Sequence, residues 1–347
     1  MTWLTWRQFR GSALMTAVLL GVFAAALALT GPGLAAAYRA GIAECTRDGT
    51  CDRFYDRFLD ENQLPFLAVS LVVLLLPALV GLFWGAPLIT RELEAGTHLL
   101  VWSQSVTRVR WLAVKLGVVG LAAVAAACLC GLLASWWSGP LDASATGDLA
   151  LMAPLVFGAR GIAPMGYAAF AFVLGVTMGM LVRRTLPAMA LTLAVFAALQ
   201  LAVPLLVRPH LMAPVTAVFE LGPANVESLG VDRDEGGSVR VRLQPAVPGH
   251  AGAWTLSSEL VDPSGRTVPG GVEGAVEVST TSGPCAPVAR SLDGCLAEIN
   301  RLGYRQRATF HPLDRFWPFQ WVETGIYALL AAGLTWCCFR WVRRRLS

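Results

Sequence analysis

The chain has little charge and almost no lysine. Of its 347 residues, 14% are charged and 55% are hydrophobic, whereas soluble domains have about 25% charged residues. Lysine occurs once, at Lys115, between Val114 and Leu116. A phosphate-binding P-loop needs a Gly-Lys-Ser/Thr step, so this chain has no Walker A site of its own. The low charge indicates that lipid is the solvent for most of the chain.

Catalytic and metal-binding patterns are also missing. The four histidines are scattered over polar segments without a zinc-protease or nucleophile-elbow motif, which argues against a membrane-embedded hydrolase. Ionisable residues are scarce in the apolar runs, although an ion-coupled carrier needs them there. We expect no catalytic residue, no metal and no cofactor bound by this chain. Four of the eight cysteines lie in apolar runs and are predicted to be free thiols: Cys128, Cys130, Cys337 and Cys338.

Six apolar runs have about the length that a bilayer core requires of a helix. They are Ser12–Leu29, Leu64–Ile89, Trp111–Trp137, Met165–Leu181, Leu186–Val207 and Trp321–Phe339. The first could instead be a cleaved signal peptide, but it exceeds the usual apolar region of about 7–15 residues. We therefore predict an all-α polytopic membrane protein with six transmembrane helices.

The connections between these runs define the predicted organisation. The segments are an interfacial stretch with helix 1 (1–31), an outer loop (32–63), helices 2 and 3 (64–137) with a cytoplasmic hairpin at 90–110, an outer loop (138–164), helices 4 and 5 (165–207), an extracytoplasmic, partly β domain (208–316), and helix 6 with a basic tail (317–347). Gly31, Pro32 and Gly33 predict the end of helix 1. The apolar stretch 149–157 is too short to span, so we interpret it as shallow or re-entrant.

Charge and cysteine placement predict the orientation. A formal charge of +4 could suggest nucleic acid, but the arginines lie at the ends of apolar runs, which is typical of membrane orientation. Both termini are expected in the cytoplasm of a cell-membrane protein. The basic residues then on the inner side are Arg7, Arg10, Arg91, Arg108, Arg110, Lys115, Arg183, Arg184, Arg340, Arg343, Arg344 and Arg345. One cysteine pair lies in each of two outer segments, which predicts disulfides Cys45–Cys51 and Cys285–Cys295.

The polar stretch Thr90–Lys115 joins the second and third apolar runs. Its first half predicts a short amphipathic helix along the cytoplasmic face, and its two acids, Glu92 and Glu94, exceed what topology requires. This favours a protein partner. Lys115 lies near the inner end of its run and is expected to reach the membrane surface. Glu323, in an aromatic stretch, is interpreted either as a capping or pairing acid or as an interface or pathway residue.

The same stretch resembles ABC-2 type permeases, in which R-E-x-E-x-G-T is followed by a polar step, a basic residue and a lysine. The matching residues are Arg91, Glu92, Glu94, Gly96, Thr97, Ser103–Ser105, Arg108 and Lys115. The turn Arg183–Ala188 and the stretch Arg315–Tyr327 also resemble actinobacterial ABC transporter transmembrane proteins. The segment 208–316 has no counterpart in this resemblance.

The resemblance implies a non-catalytic permease subunit, usually of an exporter. A separate ABC ATP-binding subunit would bind ATP and dock on a coupling helix at 91–102, where the resemblance makes Arg91, Glu92, Glu94, Gly96 and Thr97 the ATPase-coupling residues. A second permease subunit, identical or related, would complete the path through the bilayer. The alternative is a membrane-anchored scaffold or sensor whose extracytoplasmic domain binds a ligand.

Overall fold

The computed structural model describes residues 2–48, 51–96, 107–231, 238–270, 272–280, 282–286 and 292–345. Within these ranges, six helical runs are long and apolar enough to cross a membrane. A β-rich region lies between the fifth and the sixth run. The predicted fold class, a six-helix polytopic protein with a partly β insertion, is therefore confirmed.

The helices have the following bounds. They are α1 (Thr2–Asp48), α2 (Cys51–Val80), α3 (Ala86–Glu94), α4 (Arg108–Ser144), α5 (Pro154–Phe157), α6 (Ala163–Val182), α7 (Thr185–Ala202), α8 (Leu292–Arg301) and α9 (Phe316–Arg345). A π-helical turn, Gly81–Gly85, joins α2 to α3, and a second one, Val203–Val207, extends α7 into the 3-10 turn Arg208–His210. The second and the fifth crossing are therefore each made of several helical pieces.

Successive connections alternate between two ends of the bundle, because each long run crosses it once. The hairpin end carries the connection from α3 to α4 and the turn from α6 to α7. The β end carries the tip between α1 and α2, the β-rich region, and residues 147–162 between α4 and α6. We call residues 147–162 the buried connector, since residues such as Met152, Phe157 and Arg160 have almost no exposed surface.

The β-rich region consists of two three-stranded antiparallel sheets. Their strands are β1 (Val215–Phe219), β2 (Val226–Val231), β3 (Ser238–Leu243), β4 (Trp254–Val261), β5 (Glu273–Glu277) and β6 (Arg305–His311), in the orders β1-β6-β4 and β2-β3-β5. In β3 the valines are buried and Arg240 and Arg242 are exposed, as the alternation in the sequence predicts. Val239 faces Val276 across the β3–β5 pair, and α8 contributes Leu296 and Ile299 to this core.

The predicted end of the first helix at residues 31–33 is wrong. Helix α1 continues through Pro32 to Asp48, and α2 begins at Cys51, so the expected loop 32–63 is mostly helical. A neighbouring helix explains this tolerance: a Cβ atom on Gly31 would lie 2.9 Å from the Trp136 ring, and Trp137 donates a hydrogen bond to the Thr30 hydroxyl at 2.9 Å. Tertiary contacts of this kind support helices that contain proline within a membrane.

Two further boundaries differ from the prediction. Helix α4 extends to Ser144, and the segment beyond it, placed in an outer loop, is buried against the bundle. Its regular elements, Gly147–Leu149 and α5, are too short to span. Arg208, taken as the first residue of the outer domain, is completely buried beside the helices.

The π-helical turn Gly81–Gly85 packs directly against the backbone of α6. A Cβ atom on Gly175 would lie 2.3 Å from the carbonyl oxygen of Gly81, and one on Gly85 would lie 2.4 Å from that of Phe172. No side chain fits at either position. The two helical runs therefore touch here through their main chains, a close approach that small residues permit in membrane helices.

Both predicted cysteine pairs lie at disulfide distance in the structure. The sulfur atoms are 2.04 Å apart in Cys45–Cys51 and 1.92 Å apart in Cys285–Cys295. The first pair closes the tip between α1 and α2, and the second joins α8 to the segment before it. Cys128, Cys130, Cys337 and Cys338 are free thiols.

Candidate functional site

The predicted coupling residues begin where α3 ends, at the hairpin end. Arg91, Glu92 and Glu94 lie in its last turns, and Gly96 follows with a φ of 65°, a value that favours glycine. Thr97, the remainder of the expected coupling helix up to residue 102, and Ser103–Ser105 lie outside the described residues.

Glu92 binds the single lysine of the chain. The Lys115 ammonium lies 2.5 Å from a Glu92 carboxylate oxygen and 3.4 Å from the Leu88 carbonyl oxygen. It also lies 5.0 Å from the centre of the Trp111 ring. Lys115 is 4% exposed, because Glu92, Leu88 and Trp111 surround its ammonium. This ion pair fastens α3 to the start of α4.

Glu94 joins α3 to the start of α7. Its carboxylate accepts hydrogen bonds from the Thr185 backbone N–H at 2.7 Å and from the Thr185 hydroxyl at 2.8 Å. The same hydroxyl lies 3.0 Å from that of Thr90, which is buried in α3. Because the first N–H groups of a helix lack partners within it, Glu94 satisfies one from outside. These bonds lower the pKa of the Glu94 carboxyl, with the backbone bond as the main cause.

A second polar group lies at the β end. The Arg208 guanidinium binds Glu323 with two hydrogen bonds, at 2.7 Å from Nε and 2.8 Å from Nη2, and the Tyr167 hydroxyl donates to the same carboxylate. Arg208 also lies 4.3 Å from the centre of the Phe157 ring. The side chains of Arg208 and Glu323 are 1% and 0% exposed. This group joins the end of the fifth crossing to α6 and α9.

Arg160 of the buried connector forms a separate ion pair. Its Nε atom lies 3.0 Å from Asp142 in α4, and its Nη1 atom lies 3.3 Å from the Ser70 hydroxyl in α2. Ser138 donates a hydrogen bond to Asp142 at 2.6 Å. The Arg160 side chain is 2% exposed. The pair therefore holds the connector against two helices by charge-assisted bonds.

The polar contacts at both ends join helices that are distant in sequence. In each ion pair a carboxylate is bonded to a cation. These contacts hold the helices together at both ends of the bundle. The family described as ABC-2 membrane transporter related matches residues 17–208, more than half of the chain. The chain belongs to this family.

The ABC-2 match covers the first five crossings and ends at Arg208, so the β-rich region and α9 lie outside it. No curated protein and no solved structure matches the chain. The chain is thus a multi-pass membrane protein and a membrane subunit of the transporter type. Membership of the ABC-2 family also implies association with an ABC ATP-binding subunit.

The structure brings together residues that the sequence left apart. Glu323 has no exposed surface and is bonded to Arg208 and Tyr167, so it pairs within the bundle rather than lining an open path. No pairing role was predicted for Arg160, which was interpreted as a basic residue of an outer loop, or for Arg208, because a single arginine beside an apolar run is typical of membrane orientation. The signal in the sequence was a single arginine at the edge of an otherwise apolar stretch.

Proposed function

We propose that this ABC-2 protein is the permease subunit of an exporter driven by ATP hydrolysis on a separate subunit. The ATP-binding subunit docks on the coupling segment 91–102 at the hairpin end, and ATP is bound by that partner. The observation that carries the proposal is the family match over residues 17–208. A second permease subunit, identical or related, completes the transport path.

The contacts of the two coupling acids support this proposal and define their role. Glu92 is bonded to Lys115 in α4 and Glu94 to Thr185 in α7. A displacement of the coupling segment by the ATPase therefore acts on two further crossings through these bonds. In this proposal Glu92 and Glu94 are positioning residues that transmit movement within the chain.

Charge and disulfides support one orientation. The cysteine pairs Cys45–Cys51 and Cys285–Cys295 are both at the β end, and disulfides persist in oxidising compartments. The turn Arg183–Arg184 and the start of α4 place basic residues at the hairpin end, and such residues favour the cytoplasm. We therefore assign the hairpin end and both termini to the cytoplasm of a cell-membrane protein.

The test is purification of the tagged chain from its own membranes, followed by assay of ATP hydrolysis in lipid nanodiscs. We expect an accompanying subunit with a Walker A motif, identified by mass spectrometry. We also expect the chain to stimulate hydrolysis by that subunit. Glu94→Gln should reduce this stimulation at least about fivefold, which corresponds to a typical coupling free energy between two sites. The amide loses the charge and retains only part of the bonding to Thr185.

The matched control is Glu61→Gln, an exposed acid on the same run of helices but near the β end, where it pairs with Arg57. This variant should stimulate ATP hydrolysis by the partner subunit as strongly as the parent does. Undiminished stimulation in both Glu92→Gln and Glu94→Gln would contradict the coupling role. If no Walker A subunit accompanies the chain and the β-rich region instead retains a ligand, the scaffold or sensor function is correct.

A further inference from the structure

The buried connector contains little regular secondary structure. Residues 147–162 include only short helical pieces, and local turns satisfy several of the N–H groups, such as those of Ala153 to Ala150 and of Arg160 to Phe157. A non-helical backbone at membrane depth is tolerated only where other groups satisfy its N–H and C=O groups. The side chains that supply these bonds determine where the connector can lie.

One glutamine forms three main-chain hydrogen bonds, two with the connector and one with the first residue of α6. The Oε1 atom of Gln320, in α9, accepts hydrogen bonds from the N–H groups of Ile162 at 3.0 Å and Ala163 at 2.8 Å. Its Nε2 atom donates to the Phe157 carbonyl oxygen at 3.1 Å. Gln320 is fully buried. A Cβ atom on Gly161, which has a φ of 61°, would lie 2.8 Å from Oε1, so glycine permits this approach.

The connector also contacts other helices and the β-rich region. Arg160 binds Asp142 and Ser70, the Pro154 carbonyl oxygen lies 3.4 Å from Arg208 Nη1, and the Met152 N–H donates to Gly252 in the β-rich region at 3.1 Å. Four crossings and the β-rich region therefore meet at this segment.

Each face of the connector lines a cavity. One, of about 480 Å³, is bordered by Pro154, Leu155 and Arg208 together with α2 and α7. The other, of about 360 Å³, is bordered by Arg160 and Ile162 together with Cys128 of α4. The connector therefore borders both spaces.

We propose that the buried connector is the gate at the β end of the permease, and that Gln320 is the positioning residue that keeps it closed. The proposal rests on the transport function given above. The three bonds of Gln320 are neutral, hence weaker than the neighbouring ion pairs, and all three break when α9 moves away from α6. The Arg160–Asp142 pair involves no residue of α9 and is retained while the gate opens, whereas Glu323 of α9 keeps Arg208 as its partner and leaves the Tyr167 hydroxyl.

The free thiol of Cys128 serves as the reporter, because it lines the cavity beside the connector. The exposed Cys337 is replaced by serine in every variant, and Cys128→Ser gives the blank. The probe is a charged, water-soluble maleimide, applied to the chain in lipid nanodiscs without ATP. We expect Gln320→Leu to be labelled about tenfold faster than the parent, as when a minor open state becomes dominant.

The control is Gln306→Leu, which removes another fully buried glutamine, in β6 of the β-rich region. It should leave the labelling rate of Cys128 unchanged. Gln320→Glu retains the acceptor for Ile162 and Ala163, so it should be labelled at an intermediate rate, and it replaces the leucine variant if that variant does not fold. Equal rates in the parent and in both Gln320 variants would overturn the proposal. Equal acceleration in Gln306→Leu would also overturn it.

A second measurement separates the gate from the ATP-driven function. With the ATPase subunit and MgATP, labelling of Cys128 in the parent should accelerate, which supports both. If Gln320→Leu accelerates labelling but ATP does not, the gate stands and the coupling proposal fails. If ATP accelerates labelling but Gln320→Leu does not, the role of Gln320 fails and coupling stands.

Discussion

At the β end the helices are joined by buried ion pairs. At the hairpin end two acids, Glu92 and Glu94, join the helices, and Glu94 is exposed to solvent. Arg208 and Glu323 are almost completely buried and share two hydrogen bonds. Glu94, by contrast, binds Thr185 at the surface. Because salt and water weaken exposed electrostatic contacts much more than buried ones, the hairpin end is the more easily rearranged. That difference suits an end on which a partner acts.

The largest effect should come from removing one member of the buried pair at the β end. Glu323→Leu leaves the Arg208 cation buried without its carboxylate, which costs about 3–5 kcal/mol in comparable cases. The measurement is denaturant unfolding of the chain in detergent micelles. The double variant Glu323→Leu/Arg208→Met should recover most of the loss. A single variant as stable as the parent would remove the contrast between the two ends.

An intermediate effect on the stability of the chain is expected from a change of pH, through a histidine that lies between the β-rich region and α9. His311 is fully buried there, 4.9 Å from the Phe319 ring centre and 5.6 Å from that of Trp254. Burial lowers the pKa of this histidine, and Arg315 adds to the shift. The folded state therefore resists protonation, whereas the unfolded chain takes up a proton near pH 6.5.

Stability should consequently fall as the pH drops below about 6.5, by at most about 1.4 kcal/mol per pH unit, until the lowered pKa is reached. His311→Gln should abolish this part of the pH dependence, and His210→Gln, at an exposed position, should leave it intact. Thermal unfolding between pH 5 and 7.5 measures both. A pH profile of His311→Gln that overlays the parent would show that the joint does not sense protonation.

The smallest effect on stability is expected at Glu94. Glu94→Gln keeps an oxygen that can accept from Thr185, and the site is exposed, so the melting temperature should stay within about 2 °C of the parent. Any difference should vanish at high salt. A large loss of stability would mean that the hairpin end is as rigid as the β end. Unchanged stability with reduced ATPase stimulation would separate coupling from folding.

Features with a local cause could be predicted from the sequence. Apolar runs predicted the six crossings, and the close spacing within each outer segment predicted both cysteine pairs. The predicted end of α1 near Pro32 was wrong, because Trp136 and Trp137 of α4 support the helix there. The pair of Arg208 and Glu323 joins residues 115 positions apart, and no local pattern connects them. The role of Gln320 likewise depends on three-dimensional neighbours.

The contact of Gly81 and Gly85 with α6 has a mechanical consequence. Since main chains touch there, the spacing of the two helical runs is fixed at one height and cannot be adjusted by side-chain rotamers. The run from residue 51 to residue 94 then has a pivot between its two arms. One arm ends in the disulfide-closed tip at Cys51, and the other ends at Glu94. If the run is rigid, a tilt about this contact would displace its two ends in opposite directions.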